Sequence, residues 1–82
     1  MFKVLFTDRA KKDLFQLQSD TAKQIKQRLK YFSENPLNYA KKLKETTLGT
    51  FRFRVGDYRI IFDLVEDKII ILRIGHRKDI YK

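Results

Sequence analysis

The stretch TFRFRVGDYRIIF, residues 50–62, alternates apolar and basic side chains and then breaks at a glycine. Phe51, Phe53 and Val55 face one way and Arg52 and Arg54 the other, the period-two signature of a half-buried strand. Gly56-Asp57 fits a two-residue type II′ turn, which takes glycine first, so Val55 stands across from Tyr58. That register puts Tyr58, Ile60, Phe62 and Leu64 on the apolar face and sets Arg54 directly opposite Arg59. Like charges placed opposite one another on a sheet are destabilising, so the pair calls for a functional reason beyond arginine stems covering a solvated face.

Toward the C-terminus, residues 69–75 read as a third strand of the same sheet. A three-residue connection, 66–68, would pair Val65 with Ile69 and set Ile70, Leu72 and Ile74 beside Leu64, Phe62 and Ile60 on the apolar face. Arg73 then lies opposite Ile61 on the arginine face. A two-residue connection would turn Arg73 into the core, so the longer one is expected. The tail GHRKDIYK, residues 75–82, leaves the sheet and adds His76, Arg77, Lys78 and Tyr81.

Upstream of the quoted stretch, Phe2, Val4 and Phe6 alternate with Lys3, Leu5 and Thr7 as in a first strand. Thr7 or Asp8 can cap a helix whose stripe is Ala10, Leu14 and Leu17, with Phe15 beside it. A second helix starts at residues 19–21, carries Ala22, Ile25, Leu29 and Phe32 at helical spacing, and ends before Asn35-Pro36, because a pre-proline residue is pushed out of the α region. A basic connection follows, with Lys41, Lys42, Leu43 and Lys44. The expected architecture is one α+β domain over residues 1–82: an N-terminal strand and a helical hairpin packed on one face of a small antiparallel sheet. The opposite face gathers Arg52, Arg54, Arg59 and Arg73.

A chain of 82 residues supports a single core that buries about 60 to 65% of its unfolded surface, which leaves no room for a large internal cavity. Nineteen Lys and Arg against ten Asp and Glu give a net charge of +9, which points to a polyanionic partner. The longest apolar run, 69–72, falls far short of the ~20 residues needed to span a bilayer, so no membrane partner is expected. The start has no apolar segment of signal-peptide length, and the absence of cysteine agrees with a cytoplasmic location. One histidine without a ligand cluster gives no metal site, and no phosphate-binding glycine loop or nucleophile–histidine pairing stands out, so no cofactor is expected. Asp8, Asp13 and Glu34 lie scattered among basic residues and read as caps and surface ion pairs.

A cationic surface edged by Tyr and His suits an RNA backbone, with Lys41, Lys42, Lys44 and Arg73 as phosphate contacts. Metal-free RNA cleavage needs the 2′-hydroxyl to attack the adjacent phosphorus, a base, cations for the phosphorane and an acid for the leaving 5′-oxygen. Arginines serve the charge-stabilising role well and the basic role badly. Proton transfer would fall to Tyr81, His76 or Lys78, or need little help from a well-positioned substrate.

The helical hairpin, the KKL connection, FRFRVGDYRIIF and the closing GHRKDIY together resemble the RelE toxins of the RelE/ParE superfamily of bacterial and archaeal toxin–antitoxin systems. The resemblance covers nearly the whole chain. It implies an endoribonuclease that cuts translated mRNA in the ribosomal A site without metal, and a cognate acidic antitoxin that neutralises it in a hetero-oligomer. Carried over by position, the two basic residues of the first C-terminal strand are Arg52 and Arg54, the arginine after the turn is Arg59, and the arginine past the last strand is Arg77. The closing tyrosine, which would stack on a base and assist proton transfer, is Tyr81. His76 and Lys78 are auxiliary. Two other readings stand beside this one: a ParE-like gyrase poison with the same fold, and a non-catalytic RNA-binding module, which explains the charge but gives the tail no purpose.

Overall fold

The computed structural model describes residues 1–44 and 49–81. Its elements follow the order β1 (Lys3–Phe6), α1 (Asp8–Phe15), α2 (Ser19–Phe32), a 3-10 turn at Pro36–Asn38, β2 (Lys41–Lys42), β3 (Phe51–Val55), β4 (Tyr58–Val65) and β5 (Lys68–His76). The strands form one five-stranded sheet in the order β1-β5-β4-β3-β2. All neighbours are antiparallel except β1 and β5, which run parallel at one edge. Lys41 and Lys42, read in the sequence as part of a connection, form the opposite edge, where lysines discourage further strand pairing.

The helical hairpin packs on the sheet face that carries Phe53, Val55, Ile60, Phe62, Ile69, Ile71 and Ile74, and contributes Ala10, Ile25, Leu29 and Phe32 to the same core. Phe53 stacks on Phe62 with centroids 4.1 Å apart, and Phe32 reaches down from α2 to within 4.6 Å of the Phe53 ring. Thr7 caps α1: its Oγ1 accepts from the Ala10 N–H at 3.1 Å and donates to the Ile71 carbonyl at 2.9 Å, so the cap also stitches the helix start to β5. Beyond α2, Asn35 has an extended φ of −153° ahead of Pro36, as the proline requires.

The β3–β4 hairpin has the expected register, with Val55 opposite Tyr58 and Arg54 opposite Arg59. Gly56 takes a φ of +58°, and Asp57 is not among the positive-φ residues, as a type II′ turn demands. The β4–β5 connection differs from the expected one. It has two residues, Glu66 and Asp67, with Val65 opposite Lys68 and Leu64 opposite Ile69. The inward residues of β5 are therefore Ile69 and Ile71, not Ile70 and Leu72. A β-bulge between Ile61 and Phe62 then absorbs one extra residue of β5, and beyond it Ile61 pairs with Arg73 and Ile60 with Ile74. The bulge thus keeps Arg73 out of the core despite the short turn, a rescue that strict alternation does not foresee.

The second sheet face is covered over part of its area. A Cβ on Gly49 would lie 2.6 Å from Ile61 Cγ2 and 2.9 Å from Leu72 Cδ1, so only glycine lets this backbone rest on Ile61. The Thr50 N–H donates to Asp63 Oδ1 at 2.8 Å beside it. The part of this face next to the β3–β4 turn carries the arginines.

Candidate functional site

Two cross-strand rows build the basic surface. Lys41, Arg52, Ile61 and Arg73 are paired in succession across β2, β3, β4 and β5, and Arg54, Arg59 and Gly75 form the next row. Paired residues share a face, so Lys41, Arg52, Arg54 and Arg59 belong to one surface. Lys42 pairs with Phe51 and turns to the helix-bearing face. Lys44 is exposed at the margin of the described residues.

Arg59 is the centre of the group. It is only 8% exposed, and its Nη1 donates to the Gly56 and Tyr58 carbonyls, each at 3.0 Å. Burial holds its guanidinium below the ordinary range, and the charges of Arg54, Arg52 and Arg77 push the same way, while Tyr81 opposes them. Four of the residues singled out from the sequence therefore act electrostatically on the fifth. A partly desolvated cation amid like charges is a strong site for a phosphate oxygen, which relieves the repulsion and accepts charge-assisted hydrogen bonds.

The tail returns over this surface. The Arg77 N–H donates to the Asp57 carbonyl at 2.8 Å, and the Asp79 and Ile80 N–H groups donate to the His76 carbonyl at 2.9 and 3.0 Å. Ile80 is buried, and its side chain lies against the open flank of Gly75, next to Arg59 in the second row. That anchor fixes Tyr81, which is 47% exposed and so offers its ring and hydroxyl to solvent.

Three candidates stand apart. His76 pairs with Tyr58, its ring edge-on to the tyrosine at 5.5 Å, and strand alternation puts both on the helix-bearing face. Its Nδ1 accepts from the Lys78 N–H at 3.1 Å, which leaves Nε2 to carry the proton of the neutral ring. Lys78 is exposed beside it. Arg73 points its Nε at Asp13 Oδ2 of α1, 2.9 Å away.

Asp13 is the residue that sequence reading misjudged most. It is 8% exposed and accepts from Arg73 Nε, from Arg9 Nε at 3.3 Å and from the Ile74 N–H at 3.0 Å. β1 covers the edge of β5 only as far as Ile71, and the Asp13 carboxylate takes over at Ile74. The signal was present: Ala10, Asp13, Leu14 and Leu17 share the i, i+3, i+4, i+7 stripe. Asp57, read only as a turn residue, also holds the tail, with Oδ1 3.6 Å from Arg77 Nε.

A groove lies elsewhere, a depression of about 630 Å³ between the helices, floored by Phe6, Leu14, Leu17 and Ala22 and rimmed by Lys11, Lys23 and Lys26. Phe15, beside it, is almost fully exposed. Among the described residues no group of three or more His, Cys, Asp or Glu side chains is arranged to hold a metal ion, and no helix is long and apolar enough to cross a membrane.

A helical hairpin packed on one face of a five-stranded, mostly antiparallel sheet is the fold of the RelE-like toxins. The chain belongs to the RelE/ParE superfamily: residues 4–81 match the family model of the ParE toxin of the parDE type II toxin–antitoxin system. It is 33% identical over 84 aligned positions to toxin RelG of Mycobacterium tuberculosis, covering 99% of this chain and 97% of that one. Its fold superposes on the toxin–antitoxin complex RelBE2 of the same organism with a TM-score of 0.84 at 30% identity, over 93% of this chain and 98% of the other. The RelB–RelE complex of Methanococcus jannaschii gives 0.74 at 34% identity, over 95% of each chain. The chain is thus a type II toxin–antitoxin toxin with the RelE-like fold.

Proposed function

We propose that the protein is a metal-independent, ribosome-dependent endoribonuclease that cleaves mRNA in the A site and so halts translation in the cytoplasm. The observation that carries this reading is the convergence of Arg52, Arg54, Arg77 and Tyr81 on the nearly buried Arg59. In this reading the RNA backbone lies across the Arg54–Arg59 row. The 2′-oxygen forms a bond to phosphorus while the bond to the 5′-oxygen breaks, leaving a cyclic phosphate and a 5′-hydroxyl. Arg59, fixed by two carbonyls, and Arg52, Arg54 and Arg77 stabilise the charge that builds on the non-bridging oxygens. Tyr81 stacks on a base and its hydroxyl takes part in proton transfer, for which His76, facing the other way, is poorly placed. Lys41 extends the phosphate track along the first row, whereas Arg73 is occupied by Asp13.

The partner is a cognate acidic antitoxin, in keeping with the related toxins whose structures are complexes with theirs. Its acidic segment would cover the arginine face or displace the tail. An apolar helix with acidic flanks would also fit the lysine-rimmed groove between α1 and α2.

A gyrase poison is the second reading, favoured by the match to the ParE family model. Induction of the toxin alone, followed by mapping of transcript 5′-ends and of DNA breaks, separates the two. Cuts within translated codons support the ribonuclease; DNA breaks with intact transcripts support the gyrase poison.

A further inference from the structure

The three carbonyls at the β3–β4 turn all serve the arginines: those of Gly56 and Tyr58 accept from the Arg59 side chain, and that of Asp57 accepts from the Arg77 backbone. The Asp57 carboxylate adds a separate contact, 3.6 Å from Arg77 Nε, with both side chains more than half exposed. We propose that Asp57 is a positioning residue that masks Arg77: its carboxylate neutralises the guanidinium in the free toxin and yields it to an RNA phosphate on binding. The proposal rests on reading the arginine face as an RNA surface.

Two features suit the carboxylate to that role. The tail is held by the backbone bond, so the side-chain contact can open without moving Arg77 N–H from its place. The side-chain pair is exposed and longer than a good hydrogen bond, so it is weak and easily exchanged. A phosphate offers the guanidinium two oxygens in fork geometry, a better partner than a single carboxylate oxygen at 3.6 Å. Masking also lessens the repulsion that Arg77 exerts on Arg59 when no RNA is present.

Asp57→Asn removes the charge and keeps a residue that the turn accepts. The test measures binding of the full chain to a short 2′-O-methylated single-stranded RNA, which cannot be cleaved, at several salt concentrations. It uses wild type, Asp57→Asn, Arg77→Ala and the double variant. We expect Asp57→Asn to bind about 2- to 5-fold tighter at low salt, the range of an exposed ion pair, with the logarithmic salt slope nearly unchanged, because the complex makes the same phosphate contacts with or without the carboxylate. In the Arg77→Ala background the same change should have no effect beyond that of one more net charge. Equal tightening in both backgrounds overturns the proposal, because any lost negative charge would do the same. Weaker binding by Asp57→Asn, or no binding by any of the four, overturns it as well. Cleavage is not read in this assay, so a toxin that fails to cut mRNA but passes the binding cycle refutes the ribonuclease reading and leaves the masking intact.

Discussion

Arg54 and Arg59 stand directly opposite each other across the β3–β4 hairpin, the first exposed and the second almost buried. A sheet that juxtaposes two guanidinium groups gives up stability to hold them there, so the two properties should separate on mutation. Arg54→Thr should stabilise the fold by about 0.5 kcal/mol, read from the urea midpoint, while weakening RNA binding and cleavage. A variant that loses both stability and activity would show that Arg54 supports the fold instead of opposing it.

Asp13 predicts the reverse combination. Asp13→Ala leaves the Ile74 N–H without its acceptor and Arg73 without its carboxylate. Because Arg73 keeps some access to water, the expected loss is about 2 kcal/mol, or roughly 8 to 16 °C in Tm for a domain of this size. Calorimetry or thermal circular dichroism checks it. An unchanged Tm would mean that solvent replaces the carboxylate at the β5 edge.

The commitment of Arg73 to Asp13 also changes what salt-dependent RNA binding should show. Arg52→Ala should reduce the magnitude of the slope of log affinity against log salt by about 0.7, the release of one phosphate contact. Arg73→Ala should leave the slope as it is. Equal effects would place Arg73 on the phosphate track after all.

The anchor of the tail gives a fourth prediction. Ile80→Ala removes the buried side chain that sits on Gly75 and should free Tyr81, slowing cleavage more than it weakens RNA binding. Ile80→Leu, which nearly conserves volume, should retain most of the rate. Ile80→Ala with the wild-type cleavage rate would mean that the RNA, not the tail's packing, positions the tyrosine.

The parts of this architecture that the sequence made legible share one cause, a pattern with a single solution. Residues 51–55 alternate strictly, and Gly56-Asp57 permits one turn, so the Arg54–Arg59 pairing follows from them. Residues 69–72 are four consecutive aliphatics, and either parity satisfies them; the two-residue turn selects Ile69/Ile71, and a bulge that leaves no trace in composition then keeps Arg73 out of the core. The short strand at Lys41–Lys42 has no apolar pattern and exists because β3 offers it an edge. Asp13 and Asp57 were underread for a related reason. Each is local in the sequence, in a helix or a turn, but its function depends on contacts to β5 and the tail that only the folded chain creates.

The most direct test of the central claim is single-turnover cleavage of mRNA on ribosomes programmed with an empty A site, comparing wild type, Arg59→Ala and Tyr81→Phe. Wild type should cut within the A-site codon. Arg59→Ala should be about 10²- to 10³-fold slower, the loss expected when one fixed transition-state donor is removed. Tyr81→Phe should bind normally yet cleave more slowly. Intact mRNA with wild-type toxin, or cleavage at an equal rate by a folded Arg59→Ala, would contradict the assignment of this arginine cluster as the site of RNA cleavage.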